Sequence, residues 1–330
     1  MKLVLDIASS IEFWRQRYPD DRAPEPSSSL TPTDCAFRQK DVLPLIPPWI
    51  DEEFLAPTAG MLHVLVLDGP RGRQRQFIAT YSWRRPTPDG SFYELQDDVY
   101  VESPGFMFLQ AATILSFSKL IAFGDELCGC YSFDKRKKRG FRKRKVPLVS
   151  KEELEHFVLQ AVGCPGRKHA LKALTHIVER SASPMETFDE MTMCLPAHYG
   201  GYAIPRLTMN RPIKLTEKAA RIAQRNNCFL DMSYEDFPLD IEHHGKLDHS
   251  SDAEKESDFA RVSGLKEMGY EVIELTHAQV ADLFTYEYII QRIARLLGKR
   301  IPKYALGATP ERIKLRRELL EWNRSYGKIR

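Results

Sequence analysis

Between Phe229 and His249 the chain gathers acids and imidazoles around two short apolar runs. Leu230 and Met232 alternate as the apolar face of one strand. Leu239 and Ile241 give the same face of a second, after a turn at Glu235 to Pro238. Residues two apart on a strand share a face, so Asp240, Glu242 and His244 project together and His243 projects oppositely. Asp231, between Leu230 and Met232, joins that polar face if the two strands pair. Carboxylates and a histidine on one sheet face are the ligand chemistry of a divalent metal. A solvated hairpin face is the alternative reading of the same alternation, and Asp240 is read as a solvated acid. His249 falls in the polar loop beyond.

A second stretch carries a different chemistry. Nine of the eleven residues from 135 to 145 are basic: Lys135, Arg136, Lys137, Lys138, Arg139, Arg142, Lys143, Arg144 and Lys145. Like charges at this density repel one another and belong in a solvated loop or hairpin tip. As a binding signal they point to a polyphosphate, with DNA as the expected partner; the bland alternative is a solubilising loop. The net charge of the whole chain is only +3, so the concentration of charge and not its total carries this reading.

The elements that must position these residues follow from periodicity and punctuation. Leu62 to Leu67 reads as a buried strand, closed by Asp68-Gly69-Pro70; Phe77 to Trp83 and Phe92 to Val101 are further strands. An apolar helix is expected over 105–123. A second begins after Ser150, where Ser150 and Glu153 have capping-box spacing, and a third spans about 167–181. Pro19 to Thr33 reads as an extended surface linker. Ser183-Pro184-Met185-Glu186 opens a helix with proline at its first position. Thr216 caps another that runs to about Arg225. After the acidic hairpin come a charged helix over 252–268, a strand over 270–275, a helix capped at Thr276 and a last amphipathic helix from about Thr309.

At 330 residues, 43% hydrophobic and 28% charged, the chain is expected to be a soluble α/β (α+β) protein of more than one domain. The expected divisions are an irregular segment over 1–50, a mixed β/α domain over 51–180, an α/β domain over 181–300 and a helical tail over 301–330. The six cysteines show no paired Cys-x-x-Cys spacing, and the longest apolar stretch is interrupted by Gln110, Ser116, Ser118 and Lys119. No basic region followed by an apolar run opens the chain. A cytoplasmic protein with reduced thiols and no membrane contact is therefore expected.

Helix, hairpin, helix, strand, helix is the order of a compact nuclease core. Residues about 181–298 resemble the Vsr-like endonuclease domain of the PD-(D/E)xK superfamily, a restriction-endonuclease-like fold. The resemblance rests on Ser183 to Glu186, on Asp231 with Glu242 eleven residues on, and on Gly245 with His249. It continues through Asp258, Arg261 and Leu265 to Gly269-Tyr-Glu-Val-Ile-Glu-Leu-Thr276. The preceding half resembles the middle domain of AbiEi-type antitoxins at Val101-Glu-Ser-Pro104 and the apolar helix after it; no N-terminal helix-turn-helix accompanies it.

The resemblance implies metal-dependent hydrolysis of DNA phosphodiesters, in a defence or mobile-element setting. Glu186, Asp231, Glu242 and His244 would hold a divalent metal, Mg²⁺ or Mn²⁺. His249 and Arg261 would be polar partners near the phosphate, with His244 or His249 as general base. One position departs from the pattern. Relatives place Asp where His244 stands, and the superfamily signature places Lys two after the Glu. Imidazole offers neither a hard anionic oxygen nor a fixed charge. The competing readings are a nucleic-acid-binding or antitoxin-like regulator with a decayed site, and a protein-interaction module. Each residue also has a plain explanation: Glu186 completes a capping box with Ser183, and Arg261 pairs with Glu256 or Asp258 on its own helix.

Overall fold

The computed structural model describes residues 1–17, 25–27, 30, 34–36, 38–69, 74–95, 98–244 and 252–329. They form a mixed α/β protein that separates into two compact units. The first comprises 1–177 with 322–330, and the second 178–321. The N-terminal fifty residues thus belong with the segment after them, and the last helix is shared between the units.

The first unit opens with β1 (Leu3–Val4), α1 (Ile7–Arg17), β2 (Glu25–Ser27), α2 (Gln39–Val42) and α3 (Glu52–Leu55). It continues through β3 (Leu62–Leu67), β4 (Gln74–Arg75), β5 (Ile78–Trp83), β6 (Phe92–Glu94) and β7 (Val99–Glu102). Strand order is β1-β7-β6-β2 in one sheet and β3-β5-β4 in another. Glu25–Ser27, inside the expected linker, pairs antiparallel with β6; most of the rest of that linker lies outside the described residues. Strand β3, Leu and Val apart from His63, is buried along its whole length, as strands covered on both faces are.

The single helix expected over 105–123 is two, α4 (Pro104–Ala111) and α5 (Phe117–Leu127). Ser103 caps α4 by accepting from the Phe106 N–H, and polar Ser116 starts α5 afresh. Strands β8 (Tyr131–Phe133) and β9 (Phe141–Lys143) make a hairpin. Helix α6 (Lys151–Gln160) carries both bonds of the Ser150–Glu153 capping box, and α7 (Arg167–Leu174) ends about two turns earlier than the expected span.

The second unit contains α8 (Pro184–Cys194), β10 (Thr208–Lys214), α9 (Glu217–Ala223), β11 (Asn227–Ser233), β12 (Leu239–His244) and α10 (Asp252–Glu267). Then follow β13 (Glu271–Thr276), α11 (His277–Ala281), α12 (Leu283–Leu296) and α13 (Pro310–Arg324), whose last three residues lie in the first unit. The sheet runs β10-β11-β12-β13, antiparallel up to β12 and parallel between β12 and β13. Its core joins Leu215, Ala219 and Ala223 to Cys228, Leu230 and Leu265. Helices α9 and α10 meet closely at Gly264, where a Cβ would stand 2.8 Å from that of Ala223. Arg261 lies three residues earlier, on the same helix face.

Candidate functional site

The hairpin that carries the acids forms as its alternation predicts, with Met232 opposite Ile241 and Ser233 opposite Asp240. Strand β12 is interior to the sheet and covered on both faces, so Leu239, Asp240, Ile241 and Glu242 are all buried. That overturns the solvated hairpin face, and with it the reading of Asp240 as a solvated acid: Asp240 is fully buried. Glu242 faces α10, where Arg261 grips both of its carboxylate oxygens at 2.5 and 2.6 Å. Asp258 takes a further bond of 2.7 Å from the same guanidinium. The plain reading of Arg261 as a partner of Asp258 is therefore correct, and the larger part of its contact goes to Glu242. Burial alone would lower the Arg261 pKa, but the bonds from Glu242 and Asp258 hold it above its usual value.

Asp240 has no cationic partner and instead shares a hydrogen bond with the Glu242 carboxylate, which favours its protonated form. Neither of its carboxylate oxygens meets a donor among the described residues. Burial first, and then the neighbouring charges of Glu242 and Asp231, push its pKa up to about 9, so at neutral pH it is held as the neutral acid.

On the opposite face of β12, His243 meets the acids of α8. Ser183 caps that helix by accepting from the Glu186 N–H. The Glu186 side chain does not close the expected capping box. Its Oε2 accepts instead from the Ala182 N–H at 2.8 Å and from Asn210 Nδ2 at 2.9 Å. Asp189, one turn along α8 and fully buried, stands 2.6 Å from His243 Nδ1 through Oδ2 and accepts from the Tyr286 hydroxyl at 2.9 Å through Oδ1. Burial pulls the His243 pKa down; the Asp189 bond, with the charges of Glu186 and Asp231 behind it, outweighs this and leaves it raised. Half-buried Asp231 thus acts electrostatically on both faces, through Asp240 and through His243.

The residues read as metal ligands are consequently divided. Glu242 is occupied by Arg261, and Glu186 by two N–H donors. The His244 side chain, Gly245 and His249 lie outside the described residues. Among the described residues no three His, Cys, Asp or Glu side chains are grouped to hold a metal ion. With Glu242 held by Arg261, the described residues alone do not assemble a ligand set.

The basic stretch is a hairpin tip, as its charge density requires, with Gly140 in the left-handed region at φ 77° to turn the chain. Arg136 is tied to Asp134 and Glu53, and Lys135 to the Pro57 carbonyl. Lys137, Lys138, Arg139, Lys143 and Lys145 are exposed. Arg144 departs from the expected solvated tip: it is buried, because its strand face turns inward.

Sequence reading missed Asp189, Asn210 and Tyr286. Asp189 carried a signal, since it follows Glu186 by three residues on one helix face. Its bonds to His243 and Tyr286 span 54 and 97 residues and have no local signature. No family model, no curated protein and no solved structure matches the chain. No helix among the described residues is long and apolar enough to cross a membrane.

Proposed function

We propose that the chain is a nucleic-acid-binding protein whose second unit retains a nuclease-type core with its acid site closed by Arg261. The basic hairpin carries the reading. Seven exposed cations crowd one tip, five of them besides Lys135 and Arg136, and the carboxylates near it, Asp134 and Glu53, are already paired with Arg136. Such a surface attracts a polyanion and releases its counterions. Anisotropy of a labelled DNA duplex tests it: wild-type protein binds, and replacing Lys137, Lys138, Arg139, Lys143 and Lys145 by Gln abolishes binding. Full binding by that variant contradicts the proposal.

The element order α8, hairpin, α10, β13 and the acids on it support the nuclease-type origin, and Glu242 in the grip of Arg261 supports a regulatory, antitoxin-like role over cleavage. One observation favours a second reading, metal-dependent DNA endonuclease activity: two buried carboxyl groups, Asp240 and Glu242, stand side by side, and no donor reaches Asp240 among the described residues. That reading requires Arg261 to leave Glu242 when a divalent ion enters. Incubating supercoiled plasmid with Mg²⁺ or Mn²⁺ decides between them. Nicking that needs the ion and vanishes in Glu242→Ala establishes the endonuclease; intact plasmid leaves the binding protein.

A further inference from the structure

Helix α12 turns its apolar side inward and carries a different kind of stripe on the outside. Tyr286, Ile290, Ile293 and Ala294 are buried, as one side of an amphipathic helix on a core must be. Phe284, Tyr288, Gln291 and Arg295 recur at i, i+4, i+7 and i+11, which places them on one narrow outer face. Phe284 is 70% exposed and Tyr288 68% exposed, so two aromatic side chains on adjacent turns stand in water. Single exposed apolar side chains are ordinary on a folded protein, whereas adjoining ones form a patch.

The charge around that pair has one sign. From 283 to 310 the chain carries five cations, Arg292, Arg295, Lys299, Arg300 and Lys303, all exposed, against one acid, Glu287. Glu287 is turned inward: its Oε2 accepts from the Gly307 N–H at 2.6 Å, the Tyr202 hydroxyl at 3.2 Å and Arg312 Nη1 at 3.4 Å. Asp282, just before the helix, accepts from the Thr285 N–H at 2.8 Å as its cap. Arg292 is bonded to Glu271 on β13, and no acid among the described residues is bonded to the other four cations. The stripe therefore runs from two rings into unneutralised positive charge.

We infer that the Phe284–Tyr288 face of α12, with Arg295 beyond it, binds single-stranded nucleic acid, its bases stacking on the two rings and its phosphates meeting the cations. Every base has a π-face and every linkage a phosphate, so rings followed by cations fit this partner without reading sequence. Residues four apart on a helix hold their Cβ atoms about 5–6 Å apart. Base pairs in a duplex follow one another at only about 3.4 Å and cover each other's faces, so a duplex leaves these rings nothing to stack on. The basic hairpin differs on this point, since no large apolar side chain from 131 to 145 is exposed. The inference goes beyond the hairpin reading by giving the second unit its own contact with nucleic acid.

The test uses the full chain with the five hairpin cations Lys137, Lys138, Arg139, Lys143 and Lys145 replaced by Gln, so that the hairpin no longer contributes. Anisotropy of a short labelled oligothymidylate shows binding by that protein. Adding Phe284→Ala and Tyr288→Ala weakens it by at least about thirtyfold. An abasic strand of the same length, which keeps the phosphates and loses the bases, binds the parent protein about as weakly as the intact strand binds the double variant. Arg295→Gln lowers the salt slope of log K by about 0.7. Tyr288→Trp keeps the ring, binds as the parent does and gains an indole emission that the strand quenches, which keeps the test open should the double variant fail to fold. Equal affinity for intact and abasic strands, an unweakened double variant, or no binding by the parent protein overturns the inference. Ring-dependent capture by anionic phospholipid vesicles without ring-dependent strand binding overturns it too, and assigns the face to a lipid surface. The hairpin reading is decided by a duplex, which the parent protein is expected to release, so the two failures are distinct.

Discussion

Arg261 in the second unit and Arg144 in the first are both largely removed from water, and they stand in opposite electrostatic states. Arg261 has Glu242 on two of its nitrogens and Asp258 on a third contact, so its charge is closed within its own chain. Arg144 has no hydrogen-bond acceptor among the described residues: Arg15 has taken Glu126, whose charge still favours the Arg144 cation, and Arg136 has taken Asp134. A closed ion pair contributes little net stability but is expensive to break from one side. A buried charge without a bonded partner costs stability. The comparison separates a cation bonded to acids of its own chain from one that has none bonded to it.

The largest expected effect breaks the closed pair. Glu242→Ala leaves a guanidinium that is only 14% exposed with Asp258 as its one carboxylate partner among the described residues and should cost about 3 kcal/mol, read by urea denaturation followed by circular dichroism. A loss below about 1 kcal/mol would show that the pair does not close the site. Tyr286→Phe removes one donor from buried Asp189 and should cost about 1–3 kcal/mol by the same measurement, while His243 keeps its bond.

Asp240 sharpens the contrast through pH. Its folded pKa lies far above that of an ordinary carboxylate, so the folded state keeps a proton that the unfolded chain releases. The stability it contributes is complete below about pH 4 and is lost as pH rises toward 9, at no more than about 1.4 kcal/mol per pH unit. Asp240→Asn should remove that component, so the gap between variant and wild type closes as pH falls. Equal slopes would mean Asp240 is ionised in the fold. The smallest effect on stability belongs to the exposed tip: Lys137→Gln with Lys138→Gln should change it by less than about 0.5 kcal/mol, which thermal unfolding reads directly.

Much of this was legible in the sequence. Leu62 to Leu67 and the Ser150 capping box are read from local alternation and spacing, and the structure returns both at those residues. The acidic hairpin, its turn and the charged helix after it are equally local. What escaped was the third dimension. Nothing near Asp240 in the sequence says that β12 has sheet on both sides and helices over both faces, so its acid was read as solvated. The capping partner predicted for Glu186 lost to donors at Ala182 and Asn210, the latter 24 residues away. Arg144 shares its composition with the exposed tip, and only the hairpin register turns it inward. The basic tip itself needed no tertiary information, since repulsion between like charges already dictates exposure.

The salt dependence of DNA binding bears most directly on the central claim that the hairpin holds a polyanion. With about five phosphate contacts, one for each exposed cation at the tip other than Lys135 and Arg136, which are tied to their own chain, log K for a duplex should fall against log salt with a slope of about −4.5. The variant with those five cations replaced by Gln should give a slope near zero. A steep slope in both proteins, or a flat one in wild type, would contradict the account.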